Sequence, residues 1–181
     1  ARCFVFVTDD AERTMNTYLG ACADLGPEDV DINVVGAANV TYLEGYLWDP
    51  PKAKDAFRKA INIAHQASRL VAFTLSDIFC VERHRTEFLD LVKNDIDILF
   101  ANEQEIQSLY KVEEFADAVR EIRGHCKIAV LTRGSLGSTI VTPHELLEVP
   151  AYPVSNVLDT TGAGDLYASG FLFGYSQGAD L

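Results

Sequence analysis

The feature that most constrains this chain is a rhythm of apolar runs separated by amphipathic ones. Leu70-Val71-Ala72-Phe73-Thr74-Leu75 and Lys127-Ile128-Ala129-Val130-Leu131-Thr132 are near-continuous apolar stretches of strand length. Such runs suit strands buried on both faces, as in a parallel sheet covered by helices. Val40-Thr41-Tyr42-Leu43 and Asp97-Ile98-Leu99-Phe100 are shorter versions. Helical patterns lie between them. After Asp49-Pro50-Pro51, the residues Ala53, Ala56, Phe57, Ala60, Ile61, Ala64 and Ala67 recur at helical spacing. Phe88, Leu89 and Val92 mark a helix over residues 84–93. Two shorter helices are expected over 103–110 and 113–123, with Gly124 as a cap. Pro27-Glu28-Asp29 reads as one more helix start. Strand and helix alternating at this spacing build βαβ units, so an α/β fold with a mainly parallel sheet is expected. Two hairpins complete the reading. Ser138–Thr142 and Glu145–Val149 flank Pro143-His144, and residues 3–7 and 13–17 flank the turn signal Thr8-Asp9-Asp10.

Composition bounds the function. The chain has 181 residues, 48% of them hydrophobic, which is enough for one domain with a core. A net charge of −12 argues against nucleic acid and anionic membrane as partners. A phosphate ligand remains compatible, because local N–H groups and a bound metal outweigh a negative mean field. The cysteines, Cys3, Cys22, Cys80 and Cys126, sit in or beside apolar runs and are expected to be buried, reduced thiols. The histidine spacing does not suit zinc. No apolar run has membrane-spanning length and no signal peptide opens the chain, so a cytoplasmic protein is expected. The P-loop, the dinucleotide fingerprint and the nucleophile elbow are all missing.

The chemistry concentrates in Asp159-Thr160-Thr161-Gly162-Ala163-Gly164-Asp165. It lies between an extended run, residues 153–158, and a helical one starting at Leu166. The first N–H groups of a helix lack intrahelical partners and carry partial positive charge. Gly162 and Gly164 remove side-chain bulk, so an anion can approach those groups. Asp165 then places a carboxylate where like charges would repel. That suits a base taking a proton from a nucleophile that attacks a phosphoryl group. The plainer alternative is a first-turn acid complementing the helix dipole.

Two more segments end strands, where α/β sheets gather ligands. Asn102-x-x-Glu105 puts an amide and a carboxylate one helical turn apart, suited either to a hydrated Mg²⁺ or to a helix cap. Thr132-x-Gly134-x-x-Gly137 lets backbone lie close to a nucleotide, or simply turns into the hairpin. Arg133, beside it, is expected to reach phosphate or solvent.

The seven-residue loop, with these two motifs, resembles the PfkB/ribokinase family of sugar and nucleoside kinases. The resemblance implies a three-layer α/β/α ribokinase-like fold with a small β lid, residues 3–19, over an α/β core, residues 39–181. It implies Asp165 as catalytic base and Gly162, Ala163 and Gly164 as anion hole. Asn102, Thr132, Gly134 and Gly137 would bind nucleotide, and Glu105 would act on Mg²⁺ through water. Asp159 would help hold a monovalent cation such as K⁺, or stabilise its own turn. Glu44 would touch substrate, or merely end its strand. ATP and Mg²⁺ are the implied cofactors. The tracts Arg13–Ala21 and Thr41–Gly45 look most like bacterial adenosine-kinase-like members. The expected acceptor is thus adenosine or another ribonucleoside, with a ribose or ketohexose kinase as the alternative. A non-catalytic nucleotide-binding module is the rival from another class. The family also admits a homodimer formed through the lid. Its members are longer than 181 residues, so the resemblance implies part of a larger protein, without the N-terminal Gly-Gly signature and the last helices.

Overall fold

The computed structural model describes residues 1–9, 13–155 and 157–181. A six-stranded mixed sheet organises it. The strands are β3 (Val40–Glu44), β4 (Leu70–Thr74), β5 (Ile98–Asn102), β6 (Ile128–Thr132), β7 (Ser138–Val141) and β8 (Leu146–Val149), in that spatial order. The first four are parallel, and β6-β7-β8 continue antiparallel. Two further strands, β1 (Arg2–Val7) and β2 (Arg13–Tyr18), pair antiparallel as a separate hairpin, with Val5 opposite Met15 and Val7 opposite Arg13. The Asp10 end of the expected turn lies outside the described residues.

Side chains alternate across the sheet, as the period of a strand requires. Val71, Phe73, Leu99, Ala101, Ala129, Leu131 and Val141 face one cluster. Four helices cover it: α2 (Pro51–Gln66), α3 (Ile78–Asn94), α4 (Glu103–Tyr110) and α5 (Phe115–Ile122). Trp48 is 1% exposed and packs edge-on against Phe57 and Phe88. Ala72, Ile98, Phe100, Ile128, Val130 and Ile140 face the other way. There α6 (Ala163–Ser176) lays Ala168, Phe171, Leu172 and Tyr175 on them. The Phe100 and Phe171 rings meet at 5.6 Å. The short helix α1 (Ile32–Ala37) precedes β3. Among the described residues no helix is long and apolar enough to cross a membrane.

Several expectations change. Pro27–Asp29 forms one 3-10 turn, and the helix after it begins at Ile32. Asp31 starts it, because its carboxylate accepts the N–H groups of Asn33 and Val34. Helix α3 begins six residues before the expected start at 84. Asp77 caps it by accepting the Cys80 N–H at 2.6 Å. The backbone is non-helical at His84, so the sequence pattern reported only the stretch beyond that kink. Gly124 takes φ +84° just past α5, as a C-terminal cap should. The described residues of the run 153–158 form no ladder; Asn156 is outside them. Cys80 and Cys126 are buried, but Cys3 and Cys22 are exposed, because the hairpin and the turn after it are uncovered.

Candidate active site

Three connections leave the carboxyl ends of the parallel strands, and the ladder places them side by side. Asn102 is opposite Thr132 across β5 and β6, and Glu44 is opposite Thr74 across β3 and β4. The N-terminal end of α6 reaches the same edge. Asp165 raises the pKa of Glu44, after burial itself, and acts on Tyr42. Burial pushes the Tyr42 phenol up to about 12, and Glu44, Asp165 and Glu105 add to it. One phenol thus senses all three carboxylates. A groove of 480 Å³ runs between α6 and β3, lined by Val40, Tyr42, Asp165, Ser169, Leu172 and Phe173, among others. Asn102, Glu105, Gly134 and Gly137 stand on the same edge but outside this groove.

The 159–165 loop is open. Gly162 sits at the N-cap of α6 with φ +74°, a left-handed backbone that glycine adopts without strain, and no side chain caps the helix. A Cβ at Gly162 or Gly164 would meet nothing within 4 Å. Asp165 is exposed in the first turn. The Ala163 N–H donates to Thr160 O at 3.1 Å, so one of the three expected anion-hole donors closes a turn. Asp159 Oδ1 accepts the Thr161 N–H at 2.8 Å, an Asx turn that holds the Asp159 pKa down. That is the turn-stabilising role, the alternative expected for Asp159. Arg13, from β2, donates through Nη1 to Thr160 Oγ1 at 3.0 Å.

The start of α4 is closed instead. Asn102 Oδ1 accepts the Glu105 N–H at 2.8 Å, Glu105 Oε2 accepts the Asn102 N–H at 2.9 Å, and Asn102 Nδ2 donates to Glu105 Oε1 at 2.7 Å. This is a full capping box. Glu105 is 5% exposed. Burial, with Asp77 adding, pushes its carboxyl up to about 7 against the hydrogen bond from Asn102. Among the described residues no three His, Cys, Asp or Glu side chains gather to hold a metal.

The 132–137 loop divides its glycines. Gly134 takes φ +55° with open space around it. Gly137, at φ +95°, is required by packing: a Cβ there would stand 2.1 Å from Val149 O. Thr132 Oγ1 leans on Ala101 O at 3.5 Å. Arg133 is half-buried beside the loop. Its guanidinium pairs with Glu103 at 3.2 Å and lies 4.2 Å from the Phe115 ring centre, on the opposite face of the sheet from α6.

Glu44 is half-buried and turns into a 3-10 helix, Gly45–Trp48. Gly45 cannot carry a side chain, since a Cβ would come 2.9 Å from Leu75 O. This contact locks the β3 and β4 exits together. Tyr42, Arg13 and Asp77 join the site although the motif reading passed over them. Arg13 was visible only as part of the tract that carried the resemblance. Nothing local in the sequence pairs it with Thr160.

Comparison with known proteins identifies the family and the fold. The pfkB family carbohydrate kinase profile matches residues 1–181. The structure of adenosine kinase from Sinorhizobium meliloti superposes with a TM-score of 0.96 at 55% identity, over 99% of this chain and 55% of that one. Cytidine kinase from Thermococcus kodakarensis is 37% identical over 100 residues, covering 54% of this chain and 36% of that protein. A proposed ribokinase II from E. coli, solved with ATP and Mg²⁺, shares the fold at 23% identity and TM-score 0.84, over 98% of this chain and 59% of that one. The chain therefore spans between a third and three-fifths of these relatives. The chain belongs to the pfkB family of carbohydrate kinases.

Proposed function

We propose that the protein carrying this chain transfers the γ-phosphoryl group of ATP to a hydroxymethyl group of a ribonucleoside. The carrying observation is Asp165, exposed on an uncapped helix N-terminus at the carboxyl edge. Asp165 accepts the proton of the attacking hydroxyl. The N–H groups of 162–164 stabilise charge on the phosphoryl in transfer, with that of Ala163 first leaving Thr160 O. ATP lies along 132–137, over Gly134. A magnesium ion on the nucleotide would neutralise phosphate charge. Among the described residues no group of His, Cys, Asp or Glu side chains forms a cage for it, which suits an ion held mainly by phosphate and water. Asn102 and Glu105 would meet that hydration shell only when their capping box opens.

Identity to the S. meliloti adenosine kinase supports a ribonucleoside acceptor; the family profile keeps a sugar as the second reading. Phe4, Phe6 and Tyr18 share the hairpin face opposite Arg13 and are exposed, which suits the homodimer through the lid. The test is ATP turnover by the full-length enzyme on a panel of nucleosides and sugars. Adenosine or cytidine at the head of the panel is the expected result. Turnover confined to ketohexoses would replace the acceptor, and none at all would remove the activity.

A further inference from the structure

The hairpin β1–β2 shows both faces to solvent, with Phe4, Val5, Phe6, Val7 and Met15 all exposed. A lone two-stranded hairpin is marginal in water. What ties it to the phosphate loop is a side chain. Arg13 Nη1 donates to Thr160 Oγ1 at 3.0 Å across 147 residues of sequence. Opposite residues of an antiparallel pair share a face, so Arg13, Val7, Val5 and Met15 form the face turned toward that loop. Thr160 is no bystander there. Its carbonyl takes the Ala163 N–H, and its neighbours Asp159 and Thr161 close the Asx turn. The Arg13 charge also reaches Asp159 and helps keep its carboxylate ionised.

We propose that Arg13 is a positioning residue: through the Thr160 hydroxyl it makes the place of the hairpin and the shape of the 159–163 loop one coupled state. A hairpin in place holds the loop that presents the Ala163 and Gly164 N–H groups and Asp165. A released hairpin loosens it. The kinetic consequence rests on the kinase reading above; the coupling itself does not.

This route differs from a direct salt bridge between Arg13 and phosphate, and a double-mutant cycle separates them. In the full-length enzyme, Thr160→Val keeps shape and removes the hydroxyl, while Thr160→Ser keeps the hydroxyl. If Arg13 acts through Thr160, Arg13→Ala and Thr160→Val each lower kcat by about ten- to a hundredfold, the double variant falls no further, and Thr160→Ser is near wild type. Amide hydrogen exchange in Cys3–Val7 and Met15–Tyr18 should rise roughly two- to tenfold in both single variants, and no further in the double, without ATP or acceptor present. A full effect of Arg13→Ala beside wild-type exchange and turnover in Thr160→Val would overturn the proposal in favour of direct contact. Wild-type exchange in both variants would overturn it outright. Should the enzyme turn out not to transfer phosphate, the exchange experiment still decides the coupling.

Discussion

Helices α4 and α6 both begin at the carboxyl edge, and their first turns are opposites. Asn102 and Glu105 spend their polar atoms on one another, with Glu105 buried under the edge and Asn102 exposed above it. The first turn of α6 has a left-handed glycine for an N-cap, no capping side chain, and an exposed Asp165. Both ends carry the same partial positive charge. One has neutralised it internally, and the other presents it to whatever arrives. The difference teaches that an acid at a helix start acquires its role from the side chain facing it. With Asn102 opposite, Glu105 caps. With no capping side chain opposite, Asp165 stays exposed, as the proposed base would have to be.

The largest expected effect breaks the open end. Asp165→Asn preserves shape and removes the proton acceptor, so kcat of the full-length enzyme should fall on the order of 10²–10⁴-fold, with ATP affinity little changed. Near-normal turnover would reduce Asp165 to a helix-dipole acid like any other.

The next breaks the closed end. The Glu105 carboxyl stands at about 7, raised from an ordinary 4.5. A raised carboxyl contributes stability below its unfolded value, and that contribution is lost as pH climbs through its folded one. Glu105→Gln cannot ionise, yet can still reach back to the Asn102 N–H. In thermal melts without metal or nucleotide, the variant should match wild type near pH 4.5. By pH 8 it should be the more stable by roughly 3 kcal/mol. Parallel curves across that range would show that Glu105 is not held as described. The same variant sharpens the metal proposal: a higher Mg²⁺ concentration at half-maximal rate, with acceptor affinity intact, is the expected result.

Smaller effects follow at the two N-caps. Gly162→Ala has room for its methyl but must hold φ +74°. The expected cost is about 1–2 kcal/mol of strain, visible as a slower rate or a loop that relaxes away from it. An unchanged rate and melt would mean that the left-handed turn is not needed. Asn102→Ala removes both of its side-chain bonds to Glu105 and should cost about 1 kcal/mol in a melt. A rate loss far beyond that cost would place Asn102 on the nucleotide as well as on the cap.

Much of this was legible along the chain. The apolar runs at 70–75 and 127–132 became β4 and β6, and the Asp49-Pro50-Pro51 signal opened α2, because those cues are local and periodic. The Gly162–Asp165 loop was readable for the same reason: strand exit, small residues and helix start are neighbours in sequence. Other features were not. Gly134 and Gly137 look alike in sequence, but only the approach of Val149 O shows that Gly137 answers to packing. Arg133 looked free until Phe115 and Glu103 came beneath it. Helix α3 hid its first turn because a kink at His84 breaks the period.

What the sequence by itself determined, then, is the set of elements, their alternation and the glycine-rich 159–165 loop that opens a helix, all written in spacings of a few residues. Tertiary structure alone decided which carboxylate is buried, which glycine is crowded and which lid residue meets Thr160. Burial, close approach and long-range pairing depend on groups that are distant in the chain and are brought together only when the sheet forms.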